Sequence, residues 1–238
     1  IYKMKKYIVL ILVVFFSSCK IEPEITIHKV QGSAPYSNSS LSLNNLNIDD
    51  NNYTFSFDVS DYILGMQTLK DFDYQLANSA KGQHIHFIVN NGPYSAHYED
   101  TFTKQFEESS NVILAFLSRS YHESVKNSNA YILTQVGENE IDLNKEFLFY
   151  SRPKGTYKGV DTEKLLLDFY LINTNLSSTG NKVKATIQDT EFIIEEWAPY
   201  YIEGLPKGEI KIKLELIDAS GNLIDSPFNP SNRTVILE

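Results

Sequence analysis

From Ile25 onward, short runs of alternating apolar and polar residues are separated by Asn-Gly, Ser-Gly and Pro turn signals. A period of two indicates a β-strand with one buried face, and no amphipathic helix of useful length interrupts the pattern. The number and spacing of the runs predict an all-β fold built from immunoglobulin-like β-sandwiches. The predicted strands are residues 25–30, 41–46, 53–59, 84–89, 112–117, 130–135, 147–150, 165–173, 182–187, 191–194, 209–217 and 234–237.

A weak internal repeat predicts two modules. The segment Gly82-Gln83-His84-Ile85-His86 aligns with Gly180-Asn181-Lys182-Val183-Lys184, and a further strand begins thirty residues after each glycine, at Val112 and Ile210. Pro93-Tyr94 has a counterpart in Pro199-Tyr200. Equal spacing of similar segments indicates repeated structural units. We therefore expect two tandem β-sandwich modules, at residues 25–137 and 138–238, joined near Gly137.

The repeat also predicts which way the side chains of residues 84–89 point. Lys182 and Lys184 occupy the positions of His84 and His86, and lysine is rarely found on a core face. The two histidines should therefore point away from the core of the first module. Residues 112–117 are apolar on both faces, so the second module or the loop at 118–129 must cover their outer face.

The N-terminal residues resemble a bacterial lipoprotein signal. Met4 and two lysines precede an apolar run at 7–16 that is too short to span a membrane. Phe16-Ser17-Ser18-Cys19 resembles a lipobox, whose cysteine is acylated and becomes the mature N-terminus, and residues 20–24 form a polar tether. Lys20 follows Cys19 where an aspartate would indicate inner-membrane retention, so we expect an outer-membrane lipoprotein. A plain secretory signal with an incidental cysteine is the alternative.

Charge and cysteine content restrict the partners. Removing residues 1–18 takes three lysines and no acidic residue from a chain of net charge −9, which leaves −12. A nucleic-acid partner needs a basic face, so we expect none. Cys19 is the only cysteine, so the mature chain has no internal disulfide. Membrane association is expected through the lipid on Cys19 alone.

Histidines supply the main candidate chemistry. His84 and His86 share one face of a predicted strand, and His97 or His122 is expected to complete a metal site with them. Imidazole ligands suit copper or zinc. Met66 and Glu123 are possible additional ligands. In the alternative interpretation, the histidines only hydrogen-bond neighbouring groups or solvent.

Two strand ends carry a Ser-Arg pair and form a second candidate site. One is Ser118-Arg119, followed by Glu123, and the other is Ser151-Arg152, followed by Lys154. A guanidinium with hydroxyls nearby can bind a carboxylate or a phosphate. The ligand-binding candidates are therefore Ser118, Arg119, Glu123, Arg152 and Lys154. In the alternative interpretation, Arg119 and Arg152 pair with the surplus carboxylates and hold the loops in place.

Several segments are specific enough to suggest a family, and they are Gly82-Gln83-His84-Ile85-His86, Pro93-Tyr94, His97-Tyr98-Glu99, residues 116–124 and residues 149–155. They resemble signature segments of a family of Gram-negative lipoproteins often named phosphopeptide-binding proteins. The resemblance extends over nearly the whole mature chain. The resemblance implies the β-sandwich fold, the envelope location and the importance of these segments, and it does not imply a particular activity.

Two classes of function follow from these patterns. The first is a binding module at the cell envelope, for a metal ion or for an anionic or phosphorylated small ligand or peptide. The second is a metal-dependent hydrolase in which Glu123 or Glu99 acts as the base. We favour binding, because the sequence identifies neither a pair of acid/base carboxylates nor an oxyanion site.

Overall fold

A computed structural model describes residues 23–106, 108–138 and 141–238 of the chain, so the lipobox and Cys19 lie outside the described residues. The described part contains sixteen strands, one 3-10 helix at Gly159–Thr162 and no α-helix. It also contains no helix long and apolar enough to cross a membrane. The strands are β1 (Thr26–Lys29), β2 (Ser40–Asp49), β3 (Asn52–Ser60), β4 (His84–Val89), β5 (Ser95–His97), β6 (Thr101–Gln105), β7 (Ser110–Ser118), β8 (Tyr131–Gly137), β9 (Phe147–Arg152), β10 (Gly155–Tyr157), β11 (Leu165–Ile172), β12 (Lys182–Ile187), β13 (Thr190–Ile194), β14 (Tyr200–Glu203), β15 (Gly208–Ile217) and β16 (Ser231–Leu237).

All twelve strands predicted from the sequence are present. The four additional strands, β5, β6, β10 and β14, are three to five residues long. Runs this short show too few alternations to be recognised by their period. β5, β6 and β10 lie at sheet edges and β14 lies between β1 and β11, so the conformation of each is set by its hydrogen-bonded neighbours.

The first sandwich consists of a three-stranded sheet, β2-β3-β6, facing a four-stranded sheet, β5-β4-β7-β8. Its core is formed by the side chains that alternate inward along these strands, among them Phe55, Ile85, Phe87, Ile113 and Leu117. Phe55 packs edge-on against Phe87, with ring centroids 5.0 Å apart. As the period of two requires, Ile85 and Phe87 point into this core, so His84 and His86 point out of it.

The second sandwich repeats this strand order. One sheet contains β9-β11-β14 with β1 added beside β14, and the other contains β13-β12-β15-β16 with β10 added beside β16. Both modules therefore fold as immunoglobulin-like sandwiches with a hairpin and a third strand in one sheet and four strands in the other. The prediction of an all-β chain with two tandem sandwiches is confirmed. The aligned segments of the sequence repeat correspond to β4 and β12, which occupy equivalent central positions.

Strand β1 crosses the expected module boundary. Although it precedes the first module in sequence, it pairs antiparallel with β14 of the second sandwich, with Thr26 opposite Glu203 and Lys29 opposite Tyr200. The edge of β14 has unpaired backbone N–H and C=O groups, and β1 forms hydrogen bonds with them. This pairing could not be predicted from the sequence around residues 25–30, because it depends on a strand far along the chain. The second sandwich therefore takes strands from both ends of the described chain.

The two sandwiches pack face to face. The outer face of β4 and β7 meets the outer face of β9 and β11 in a shared apolar layer, which contains Ile88, Val112, Leu114, Phe116, Phe147, Phe149, Tyr170 and Ile172. The second module therefore covers the outer face of residues 112–117, one of the two candidates that the sequence suggested. Four sheets are stacked, and the two inner ones are buried on both faces, which explains their apolar sequence on both faces.

Polar contacts fix the alignment of the two modules at one end of this layer. The Asn91 side chain accepts a hydrogen bond from the Tyr150 backbone N–H at 2.8 Å. Arg233 of the second module donates to the carbonyl oxygens of Asn91 and Gly92 at 2.9 and 2.7 Å. Asn90 and Asn91 both have positive φ, which a tight turn after β4 requires and asparagine tolerates. The turn thus acts as a connector between modules.

The shared layer can be tested with Phe149→Ala. Phe149 is fully buried between the modules, so truncation should lower the free energy of unfolding by about 3–5 kcal/mol, as expected for an enclosed phenylalanine. Ile193→Ala, on the exposed side of β13, is the control and should cost less than about 1 kcal/mol. Urea denaturation measures both values. Equal, small effects of the two substitutions would contradict the packing described.

Candidate metal centre

Strand β4 places two imidazoles in the layer between the sandwiches. His84 lies opposite Ser118, and His86 lies opposite Phe116, in the antiparallel pairing of β4 with β7. Both histidines are fully buried, with 0 % of their surface exposed. The sequence-based expectation that they point away from the first core is correct. Lys182 and Lys184, the corresponding residues of β12, are partly exposed to solvent. His84 and His86 are not, because the second sandwich covers the outer face of β4.

A tight loop after β7 brings a third imidazole to the same place. Ser118 forms an isolated bridge with Ser124, so the chain leaves β7 and returns within six residues. The backbone N–H of His122 donates to the Arg119 carbonyl at 2.8 Å, and the N–H of Arg119 donates to the Glu123 carbonyl at 2.8 Å. His122 has a φ of 70°, a left-handed conformation that is uncommon for a residue with a side chain. This conformation directs its ring over His84.

Arg119 and Glu123 hold this loop together through contacts within the protein. Their side chains make a buried ion pair with 2.8 Å between Nη1 and Oε1. Arg119 also donates to the carbonyl oxygens of Ala34 and Ser124. The guanidinium is therefore occupied by protein acceptors, as in the alternative that the sequence left open. Ser118 is fully buried and its hydroxyl donates to backbone carbonyls, so it too serves the loop.

The three imidazoles converge through specific nitrogen atoms. His84 Nε2 lies 2.9 Å from His86 Nε2 and 3.2 Å from His122 Nδ1. The ligand atoms of His84, His86 and His122 all lie within 4.8 Å of one another, so the group could hold a metal ion. A tetrahedral ion with metal–nitrogen bonds of about 2.0 Å separates its ligand atoms by about 3.3 Å. The separations of 2.9 and 3.2 Å lie near this value, and in the metal-free chain both contacts are hydrogen bonds between imidazoles.

Outer contacts orient two of the rings toward the convergence point. His84 Nδ1 lies 2.8 Å from the Gly82 carbonyl oxygen, which can only accept, so Nδ1 carries the hydrogen and Nε2 presents its lone pair. His86 Nδ1 lies 3.2 Å from Ser151 Oγ of β9. Hydrogen bonds from the second imidazole nitrogen to a carbonyl or hydroxyl are the usual support of metal-binding histidines.

His97 does not belong to this group, so its assignment as a candidate ligand is not supported by the geometry. It lies opposite Ile85 in the pairing of β5 with β4 and therefore shares the face of Ile85, away from His84 and His86. Its ring stacks on Phe102 with centroids 3.4 Å apart, and Nε2 contacts Ser95 Oγ at 2.9 Å. Strand β5 is too short for the sequence to reveal this orientation.

The other suggested ligands are also elsewhere. Met66 is exposed in the long loop before β4, and Glu99 is exposed after β5. The Glu123 carboxylate is paired with Arg119 and accepts from the Ser33 hydroxyl. No carboxylate joins the three histidines in the described part of the chain. The hydrolase hypothesis therefore lacks the base that it assigned to Glu123 or Glu99.

The second sandwich contributes cations beside the cluster. Arg152 is buried at the end of β9 and donates to the Tyr157 hydroxyl at 2.8 Å. Lys154 follows it and donates to the Tyr94 carbonyl at 2.7 Å. Neither forms an ion pair with a carboxylate among residues 23–106, 108–138 and 141–238. Arg152 and Lys154 thus border the histidine cluster, whereas Arg119 is held in its own loop.

Burial keeps the imidazoles neutral. It lowers the pKa of His84 from 6.5 to about 4, and the nearby Arg152 and Lys154 act in the same direction. Burial also lowers the pKa values of His86 and His122, with further contributions from neighbouring histidines and the same two cations. The pKa of Lys154 falls to about 8, chiefly through burial and then through Arg152 and Arg233. A neutral imidazole is the form that binds a metal.

From the sequence, no role at the histidine cluster was assigned to three residues that support it, Tyr94, Ser151 and Asp168. Tyr94 stacks flat on His86, with ring centroids 3.5 Å apart. Ser151 was identified only as part of a Ser-Arg pair. Asp168 of β11 is fully buried and accepts from the backbone and hydroxyl of Ser124, so it ties the His122 loop to the second sandwich. The Pro93-Tyr94 correspondence in the repeat was the available signal for Tyr94.

Comparison with known proteins gives weak structural likenesses. No family model and no curated protein sequence matches the chain. Fibronectin(III)-like modules of Clostridium thermocellum CbhA share 11% identity over 79% of this chain and 85% of theirs, with a TM-score of 0.30. The central fibronectin-III array of RIM-binding protein shares 9% identity over 84% and 69%, with a TM-score of 0.26.

A third solved structure contains the two tandem V-type regions of VCBP3, a v-region-containing chitin binding protein. It shares 8% identity over 90% of this chain and 99% of that one, with a TM-score of 0.24. TM-scores this low do not bear on the function of this chain. The sandwich assignment follows from the strand order and the two cores described above.

The buried neutral histidines predict acid sensitivity of the metal-free protein. His84 has a pKa of 6.5 when unfolded and about 4 when folded, so the unfolded chain binds more protons between these values. The free energy of unfolding should therefore fall as the pH decreases from 6.5 to 4, by about 3 kcal/mol from His84 alone. Urea denaturation in the presence of a chelator measures this loss. An NMR titration showing all three imidazoles protonating near pH 6.5 would contradict it.

Proposed function

We propose that this chain is a metal-binding module of the cell envelope that holds one copper or zinc ion between its two sandwiches. The observation that carries the proposal is the convergence of nitrogen atoms from His84, His86 and His122 within 4.8 Å of one another. Imidazole suits both metals, and three histidines are a recurrent ligand set for zinc. The ion would lie in the layer that joins the two modules.

Burial and chemistry favour binding over catalysis. His84 and His86 are sealed from solvent by the second sandwich, so a substrate would have no direct approach along β4. The cluster includes no carboxylate among the described residues, and a hydrolytic mechanism needs a group to accept the proton of water. The site thus suits retention, storage or sensing of an ion better than turnover of a substrate.

The envelope location is the second part of the proposal. It is supported by the basic and apolar N-terminal residues and by Phe16-Ser17-Ser18-Cys19, which resembles a lipobox. Two or three acyl chains on Cys19 would anchor the protein at the outer membrane through their buried methylene groups. A reducing compartment is not needed, because Cys19 is the only thiol in the sequence.

Metal titration of protein without an affinity tag tests the ligand set. Wild-type protein should bind one Cu(II) or Zn(II) ion per chain. His86→Gln and His122→Gln should each weaken binding by more than about 100-fold, because loss of an outer partner of a metal ligand alone costs about 10–100-fold. Calorimetry gives the affinities, and circular dichroism of the metal-free variants shows whether the β fold is retained.

His97→Gln is the matched control. His97 lies on the same sheet as His84 and His86 but on its opposite face, so its replacement should leave both stoichiometry and affinity unchanged. Weakening by His97→Gln equal to that of His86→Gln would show that the bound ion is adventitious. Absence of metal binding by the wild-type protein would overturn the proposed function.

The anchor is tested by Cys19→Ser. The wild-type protein should carry acyl chains detectable by intact-mass spectrometry and should sediment with membranes. The variant, which has no thiol to acylate, should be released in soluble form. Soluble, lipid-free wild-type protein would contradict the lipoprotein proposal without affecting the metal site.

A further inference from the structure

Tyr94 contacts two of the three clustered histidines, His86 and His122. It lies in the connection from β4 to β5 and is buried. Its ring stacks flat on His86, with 3.5 Å between centroids and 12° between planes. Its hydroxyl lies 3.2 Å from His122 Nδ1, the nitrogen that faces His84. The phenol oxygen is therefore beside the convergence point of the imidazole nitrogens.

The four atoms form a continuous series of ligand-like separations. His86 Nε2 to His84 Nε2 is 2.9 Å, His84 Nε2 to His122 Nδ1 is 3.2 Å, and His122 Nδ1 to Tyr94 Oη is 3.2 Å. Neighbouring ligand atoms around a tetrahedral ion lie about 3.3 Å apart when the bonds are about 2.0 Å long. Three imidazoles leave one position of such an ion open, and the phenol oxygen, 3.2 Å from His122 Nδ1, is a candidate for it.

The surrounding charges favour an anionic ligand at that position. Three neutral imidazoles offer no charge to balance a divalent ion. Arg152 has its guanidinium 5.3 Å from the centre of the Tyr94 ring, and Lys154 has its ammonium 3.7 Å from it. Among the described residues, no carboxylate forms an ion pair with either cation. Burial raises the pKa of Tyr94 and Arg152 opposes this to a smaller extent, so the phenol is protonated in the metal-free chain, and the charge of a bound divalent ion would favour its ionisation.

The geometry points to Tyr94 Oη as the fourth ligand of the ion held by His84, His86 and His122. This inference rests on the proposed metal-binding function. On binding, the phenol O–H bond breaks, the proton passes to solvent, and an oxygen lone pair forms the bond to the metal. The three imidazoles bind in their neutral form and release no net proton. A hard oxygen ligand in place of a thioether or thiolate selects Cu(II) or Zn(II) over Cu(I).

Proton release distinguishes this arrangement from a site of three histidines. A phenol is protonated at neutral pH, where its ordinary pKa is about 10. Zn(II) titrations at about pH 6, where a zinc-bound water with a pKa of about 7 stays mostly protonated, in buffers of different ionisation enthalpy should therefore give about one proton released per ion for wild-type protein. Tyr94→Phe should bind the same number of ions, with lower affinity and with no proton release. The ring and its stacking on His86 are retained in this variant.

Tyr98→Phe is the control for the loss of a hydroxyl near the site. The Tyr98 ring lies 5.0 Å from the His84 ring, but its hydroxyl is hydrogen-bonded to Ser79 Oγ at 2.7 Å. This variant should keep the wild-type proton release and affinity. Equal proton release by wild-type protein and Tyr94→Phe would overturn the inference about Tyr94 while leaving the histidine site intact.

A measurement on unaltered protein guards against misfolding of the variant. Addition of Zn(II) to the wild-type protein should produce the ultraviolet difference spectrum of one ionised tyrosine, and Cu(II) should produce a phenolate-to-copper charge-transfer band. Tightly bound metal with neither signal would exclude Tyr94 as a ligand. Failure of the wild-type protein to bind either ion would overturn the proposed function and this inference together.

Discussion

The back-to-back packing of the two inner sheets is the constraint on which the rest of the structure depends. Strands β7 and β11 are apolar on both faces, so neither sandwich can leave its outer face in water. Joining the modules through Phe116, Phe149 and Tyr170 buries the apolar outer faces of both inner sheets at once. The same contact encloses His84 and His86, which in a separate module would lie on an open surface, as Lys182 and Lys184 of the equivalent strand do.

Enclosure changes what these histidines can do. Burial and the neighbouring cations keep the imidazoles neutral, while the carbonyl of Gly82 and the hydroxyl of Ser151 orient two of them. The third, His122, is held in a left-handed conformation by the loop that Arg119 closes. Because the supporting groups come from both modules, an ion bound here would stabilise the packing of the two modules against each other. The gain in stability would be larger for a more tightly bound ion.

Sequence patterns predicted twelve of the sixteen described strands, the two sandwiches and the face on which His84 and His86 lie, because all three follow from a period of two and from the repeat. They predicted that the outer face of residues 112–117 is covered, but not which of two candidates covers it or that the cover extends over His84 and His86, since this depends on which surface of the second module packs there. The choice between His97 and His122 was equally hidden. It depends on the pairing of Ile85 with His97 and on the loop after β7, and neither has a local signature.

The central claim is that one ion is held by three imidazoles in the layer between the sandwiches. X-ray absorption spectroscopy of protein loaded with one equivalent of zinc tests this claim most directly, because imidazole rings give characteristic multiple-scattering features. Such a site should give a four-coordinate ion with three imidazole ligands and one oxygen ligand, all at about 2.0 Å. A spectrum dominated by oxygen ligands, with one imidazole or none, would place the ion on the acidic surface and contradict the account.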